Sequence, residues 1–249
     1  MKRLVLAVFA VLLGLISPVG AQSREQPTFG SRNTFSAFVE YANDSSHIVL
    51  GRAPDRKFAA LGVGYERRLT SNHLLVLKYA AEFRPLIFES DPTEAVTETE
   101  TSPPPTTSFT NQLGAAFRCV PAQSSFSFLN PVDGILTAGT LVQTCSRRWT
   151  YAQGLSPFGM SINLLPRHRL QPIGTLLAGY MLSAKKIPVD TAGSFNFTFA
   201  FGVGLEYFLS PARSMRFEYQ VQHFSNAYTA DTNPGVDNGL FKLSYTFGR

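Results

Sequence analysis

The most regular pattern along the chain is alternation. From Phe195 to Leu209 every odd position is Phe, Val, Leu or Tyr, while the even positions up to 206 run Asn196, Thr198, Ala200, Gly202, Gly204 and Glu206. Successive side chains on a strand point to opposite faces, so this strand has one wholly apolar face and one polar or small face. It is also long beside the usual strand of about five or six residues. The same split recurs elsewhere. Phe35, Ala37, Val39 and Tyr41 oppose Ser36 and Glu40, and Leu61, Val63, Tyr65 and Leu69 oppose Gly62, Gly64 and Glu66. Leu75, Leu77, Tyr79 and Phe83 oppose Lys78, Glu82 and Arg84. Met215, Phe217, Tyr219 and Val221 oppose Arg216, Glu218 and Gln220, and Phe241, Leu243, Tyr245 and Phe247 oppose Lys242, Ser244 and Thr246. Less cleanly patterned strands fall near residues 151–164 and 170–183.

Eight strands are predicted, an even number, as a single-chain outer-membrane barrel requires. The links support this. Thr70-Ser71-Asn72, Leu165-Pro166-Arg167-His168 and Ser210-Pro211-Ala212 are short turns after the second, fourth and sixth strands, and the other links are longer. Segregation of short turns to one end and long loops to the other is the barrel signature. The charged positions share the non-apolar face, which suits the filled polar interior of a narrow barrel. The expected fold is therefore all-β: an eight-stranded antiparallel transmembrane barrel with its apolar face toward lipid. The link from residue 89 to 148 is a long extracellular insertion between the third and fourth strands. Residues 91–112, rich in Thr, Pro and Glu, read as a mobile loop.

The N-terminus reads as an address. Lys2 and Arg3 precede an apolar stretch from Leu4 to Ile16, then Pro18 and the small residues Gly20 and Ala21. This predicts a signal peptide over residues 1–21 and a barrel over 22–249. The apolar stretch falls short of the roughly 20 residues of a spanning helix. Export to an oxidising compartment allows a disulfide between Cys119 and Cys145. Composition agrees with a packed β protein. Charged residues are 16%, hydrophobic residues 44%, and the chain has 21 Phe and 9 Tyr. The net charge of +5 comes with no run of Lys or Arg beyond a pair, so no nucleic-acid partner is expected. His47, His73 and His168 are scattered, with no metal-ligand spacing. Gly62-Val63-Gly64 and Gly202-Val203-Gly204 lack the third glycine of a dinucleotide loop and read as small interior positions.

Candidate chemistry sits near the C-terminus. His223 and Ser225 extend the parity of the apolar face of their strand, and Asp237 shares the parity of Phe241 and Leu243 on the next. All three are expected on the lipid side at the outer end of one hairpin. Polar and ionisable groups there are costly unless used. A Ser that attacks, a His that takes its proton and a carboxylate that orients the His make a hydrolytic triad.

These residues carry a resemblance. His223-Phe224-Ser225-Asn226-Ala227, followed by Asn233-Pro234-Gly235-Val236-Asp237 just before the last strand, resembles the signature of the PagL-type lipid A 3-O-deacylases, outer-membrane enzymes of eight strands. Tyr151-Ala152-Gln153-Gly154-Leu155-Ser156-Pro157-Phe158-Gly159 is similar to a secondary family segment. The resemblance implies Ser225 as nucleophile, His223 as general base, Asp237 in the place of the family's Glu, and Asn226 in the oxyanion hole. It implies hydrolysis of the 3-position acyl ester of lipid A in lipopolysaccharide, without metal or cofactor, by an integral protein of the bacterial outer membrane in contact with its lipids. Asp is one methylene shorter than Glu, so the backbone must come closer to keep the His contact. Arg147, Arg148, Lys185 and Lys186 are candidates for holding lipid A phosphates. The alternative is a non-enzymatic structural or adhesive barrel with a degenerate triad; an acyltransferase through the same acyl-enzyme is a third reading. Oligomeric state is open, a homodimer included.

Overall fold

The computed structural model describes residues 29–131 and 134–248, so the predicted signal peptide lies outside the described residues. Ten strands run in chain order: β1 (Asn33–Ala42), β2 (Lys57–Ser71), β3 (Leu75–Ser102), β4 (Thr107–Ala115), β5 (Ala122–Leu129), β6 (Leu136–Leu164), β7 (Leu170–Ser183), β8 (Phe195–Ser210), β9 (Arg213–Ser225) and β10 (Val236–Gly248). Neighbours pair antiparallel in the order β4-β3-β2-β1-β10-β9-β8-β7-β6-β5, and β3 also pairs with β6. That last pairing closes β3, β2, β1, β10, β9, β8, β7 and β6 into a ring. Closure pairs both edges of every strand in it, which hydrocarbon surroundings demand.

Alternation sets the two faces of the wall. Phe35, Val39, Leu61, Val63, Phe197, Val203, Leu205, Phe217, Phe241 and Leu243 are exposed on the outside. Their strand neighbours are buried in the bore, where Glu40, Glu66, Lys78, Arg84, Glu206, Arg216, Glu218 and Lys242 are almost inaccessible. Those charges are compensated. Arg216 makes two 2.6 Å bonds to the Glu66 carboxylate and lies 3.0 Å from Glu206, and Lys78 reaches Glu66 at 3.0 Å. One turn up the bore, Arg84 lies 2.8 Å from both Glu40 and Glu82, and Lys242 lies 3.4 Å from Glu40. The expected small interior positions are there for space. A Cβ on Gly62 would lie 2.2 Å from the Phe38 ring, and one on Gly202 would lie 2.5 Å from Gln220. The Lys242 ammonium sits 4.0 Å from the centroid of that Phe38 ring.

The outer third of the bore differs from the polar interior expected. Phe58, Ala60, Ile87, Met181, Phe224, Val236 and Leu240 form one buried apolar cluster, joined by Ile187 from the link between β7 and β8. It stoppers the barrel beneath the outer loops. A bulge helps build it. Exposure on β3 follows odd positions as far as Phe83 and then shifts to Leu86 and Phe88, with the pairing register slipping around Arg84–Ile87. Pro85, which has no N–H to give a ladder, lies inside this slip. The shift turns Ile87 and Glu89 into the bore.

The insertion is also more ordered than expected. Residues 91–112, read from sequence as a mobile loop, fall mostly in strands: β3 runs on to Ser102, and β4 returns alongside it. β6 starts far outside the ring and carries β5 on its other edge. The Thr residues explain the difference, since β-branched side chains favour strands. They pair across the sheet as Thr93–Ser146 at 2.6 Å, Thr97–Thr110 at 2.9 Å and Thr99–Ser108 at 3.3 Å. Pro103-Pro104-Pro105 is confined to the β3–β4 connection. Cys119 and Cys145 are disulfide-bonded, with Cα atoms 5.8 Å apart, and tie the chain between β4 and β5 to β6.

Removing one member of a buried ion network leaves the others uncompensated, at a cost of about 3–5 kcal/mol. Arg216→Met is therefore expected to lower the unfolding free energy of the barrel in detergent by that scale, read as a lower urea midpoint, whereas Val203→Leu on the outer wall leaves the midpoint unchanged. Equal midpoints for the two would contradict a stabilising role for the network.

Candidate active site

The β9–β10 hairpin brings the three predicted groups to one corner of the outer wall. Asp237 is paired directly opposite His223, and Val236 opposite Phe224. On the other side of β9, His223 is opposite Phe199 and Ser225 opposite Phe197, both rings being exposed on the outer wall. Phe224, between the His and the Ser, is fully buried in the apolar stopper. The parity expected from sequence therefore holds to the end of β9. The His223 side chain keeps 15% of its accessibility and that of Asp237 none.

The missing methylene of Asp237 does not break the pair. His223 Nδ1 lies 2.7 Å from Asp237 Oδ1. A carboxylate at Nδ1 fixes the imidazole tautomer with its proton on that side and leaves Nε2 as the acceptor. Gly235 leaves room at the other edge of the ring, since a Cβ there would lie 3.0 Å from His223 Cε1. Gly235 has a φ of 63°, a left-handed value that glycine adopts without strain.

Asp237 is hidden by the link between β1 and β2. Leaving Ala42, the chain follows the edge of β10 above the end of β1: Ser45 bridges to Asn238, and Ser46 N–H donates to Asp237 O at 2.9 Å. It then crosses the carboxylate. Val49 and Leu50 N–H groups donate to Asp237 Oδ2 at 2.5 and 3.0 Å. Arg52 N–H returns to Pro234 O at 2.9 Å. Nothing in the alternation pattern pointed to this loop; the His47-to-Gly51 stretch carried no motif.

Asn226 is largely committed within its own loop. Its backbone N–H donates to Asn233 Oδ1 at 3.1 Å, its amide donates to Thr232 O at 2.7 Å, and its side-chain oxygen accepts from Tyr228 N–H at 2.9 Å. The structure gives Asn226 a scaffolding role in this loop. The backbone next to it is unusual, since Ala227 and Tyr228 have φ values of 50° and 62°. Two consecutive non-glycine residues in the left-handed region are uncommon, and such strain clusters at functional sites.

Two of the proposed phosphate ligands are otherwise occupied. Arg147 is paired with Asp55, and Arg148 lies 2.6 Å from Asp190 and 3.6 Å from Asp91. Burial raises the Asp190 carboxyl, but hydrogen bonds from Arg148 and the Ala115 N–H outweigh it and hold the group below its usual range. These arginines stitch loops together, so as candidate phosphate ligands they already carry carboxylate partners. Lys185 and Lys186 are exposed on the β7–β8 link. No group of three or more His, Cys, Asp or Glu among the described residues is arranged to hold a metal.

Comparison with known proteins follows the same line. The family model "Lipid A 3-O-deacylase (PagL)" matches residues 134–246, a stretch that contains His223, Ser225 and Asp237. Over that stretch the chain is similar to that family. No curated protein matches the chain. Among solved structures it is similar to Neisserial surface protein A, at 9% identity and a TM-score of 0.44, covering 87% of this chain and 97% of that one. It is also similar to Ail, the attachment invasion locus protein of Yersinia pestis, at 12% identity and a TM-score of 0.38, covering 88% and 100%. The outer membrane protein OprG from Pseudomonas aeruginosa gives 10%, 0.37, 90% and 100%. With its ring closed, its apolar face outward and the matched segment supplying five of its strands, the protein is an integral outer-membrane β-barrel.

Outward orientation of the hairpin makes a labelling prediction. Ser225→Cys is expected to react with a membrane-partitioning maleimide in intact outer membranes, and Gln220→Cys in the bore is expected to stay unlabelled. The reverse pattern would mean that residue 225 faces inward.

Proposed function

We propose that the protein is a lipid A 3-O-deacylase acting as a serine esterase through an acyl-enzyme. The observation that carries this reading is the 2.7 Å His223–Asp237 contact on the outer wall, two residues from an outward-parity Ser225. The PagL-type match over the same residues supports it.

In this reading Ser225 Oγ attacks the carbonyl carbon of the 3-position acyl ester while its proton passes to His223 Nε2. The imidazolium is stabilised by Asp237 at Nδ1, as in other triads. The tetrahedral intermediate collapses with the proton returned to the departing sugar hydroxyl. Water then attacks the acyl-Ser225 ester, again giving its proton to His223, and the free fatty acid leaves as the serine is restored. Developing charge on the carbonyl oxygen would meet N–H groups beside the nucleophile. Asn226 is assigned to this hole through the second hydrogen of its side-chain amide, since its backbone N–H and that of Tyr228 are taken up inside the loop.

Placement favours this chemistry. A lipid substrate keeps its acyl chains in hydrocarbon, so a triad on the outer wall meets the ester without extracting it. Water excluded by the surrounding Phe197 and Phe199 rings strengthens the electrostatic part of catalysis.

With lipopolysaccharide in mixed micelles and fatty-acid release measured by mass spectrometry, Ser225→Ala is expected to lose at least about 10³-fold in rate. Asp237→Asn, which keeps the shape but reverses the hydrogen bond, is expected to lose up to about 10⁴-fold. Both should retain the folded-barrel mobility on unheated gels. Release by the Ser225→Ala protein at the parent rate would exclude this nucleophile.

A further inference from the structure

The loop over Asp237 lies outside the matched family segment, and its contacts go beyond covering a carboxylate. The two oxygens are divided: Oδ1 takes His223 Nδ1, and Oδ2 takes the N–H groups of Val49 and Leu50. An unclamped aspartate could rotate about χ1 and χ2 away from the imidazole. Donors on the far oxygen remove that freedom and leave the near one aimed at the ring. The charge-assisted bonds involved are about twice as strong as neutral ones.

The loop is built to stay put. Ser45 Oγ donates to Ala53 O at 2.9 Å and accepts from Arg56 N–H at 3.2 Å, which closes residues 45–56 into a ring. The Arg56 side chain is fully buried at the barrel mouth. It donates to Phe117 O at 2.6 Å, Ala116 O at 2.7 Å and Pro188 O at 3.0 Å, so the root of the insertion and the β7–β8 link hold the loop's base. At the working end, Gly51 is the closest approach. A Cβ there would lie 2.5 Å from Asp237 N and 2.9 Å from Asp237 Cγ and Val236 C. Backbone atoms cannot yield as a flexible side-chain end can.

We infer that the first outer loop is a positioning clamp that fixes the short carboxylate of Asp237 on the His223 imidazole, and that Gly51 is its positioning residue. The inference rests on the proposed esterase reading. It accounts for how an Asp serves where the family carries Glu: the clamp supplies from the outside the fixation that the missing methylene would have given.

The test compares the parent protein with Gly51→Ala, Gly174→Ala and Ser225→Ala, all refolded and checked by gel mobility. Gly174 is the control because an added Cβ there meets nothing nearer than Gly202 O at 3.9 Å. For Gly51→Ala, kcat for acyl release is expected to fall about 10- to 100-fold with KM within about twofold, the scale of an ångström-sized misplacement. Its low-field His223 Nδ1 proton, read by NMR in 15N-histidine-labelled protein, is expected to shift or vanish. Gly174→Ala should match the parent in both readings. Parent-like kcat and an unchanged Nδ1 signal in Gly51→Ala would overturn the clamp while leaving the esterase reading intact. A parent protein no more active than Ser225→Ala would instead overturn the esterase reading, and with it the catalytic meaning of the clamp.

Discussion

Hydrocarbon offers no partner for a backbone N–H or C=O, so every strand that crosses it must be paired along both edges. In this chain that requirement is met by one pairing, β3 to β6, which turns an open sheet into a ring. Once the ring is closed, each side chain has only two directions, and residue parity decides between them. Charges fall into the bore, where Arg216, Glu66 and Glu206 compensate one another. Rings and aliphatic groups fall outside. The His, the Ser and the Asp share outward parity because β9 and β10 hold their alternation to the outer rim.

That geometry puts the groups of the proposed esterase on the outer surface of a barrel and not in a cleft. The bore holds charges in its lower part and an apolar stopper of Phe58, Phe224 and Leu240 in its outer part. What a cleft normally provides, a wall around the acid and a fixed orientation, comes here from the loop after β1. The ion pairs and carbonyl contacts of Arg56, Arg148 and Asp190 join that loop to the insertion and to the β7–β8 link. The insertion is therefore not only an outward extension. Its root is part of the frame around the candidate site.

Much of this was legible in the sequence, for physical reasons. Period-two alternation located the strands of the ring and told the lipid face from the bore. The same parity, carried from Val221 to Ser225, placed the candidate triad on the outer wall. Other features leave no such trace. A bulge at Pro85 reverses parity on β3, and a pattern read at fixed period passes over it. Thr-rich, Glu-rich sequence has the composition of a mobile loop, yet Thr97 and Thr110 pair across two strands of the insertion. The clamp depends on the N–H groups of Val49 and Leu50, which every non-proline residue has, so no side-chain motif announces it. The scaffolding role of Asn226 depends on its loop partners, Thr232 and Asn233, which become neighbours only when the loop closes.

The claim at the centre is that the outer-wall triad cleaves an acyl ester of lipid A. The most direct measurement is the mass spectrum of lipid A from outer membranes that contain or lack the protein. The account predicts a new species lighter by a single ester-linked acyl group whenever the protein is present. Identical spectra, with the folded barrel verified in the same membranes, would contradict it.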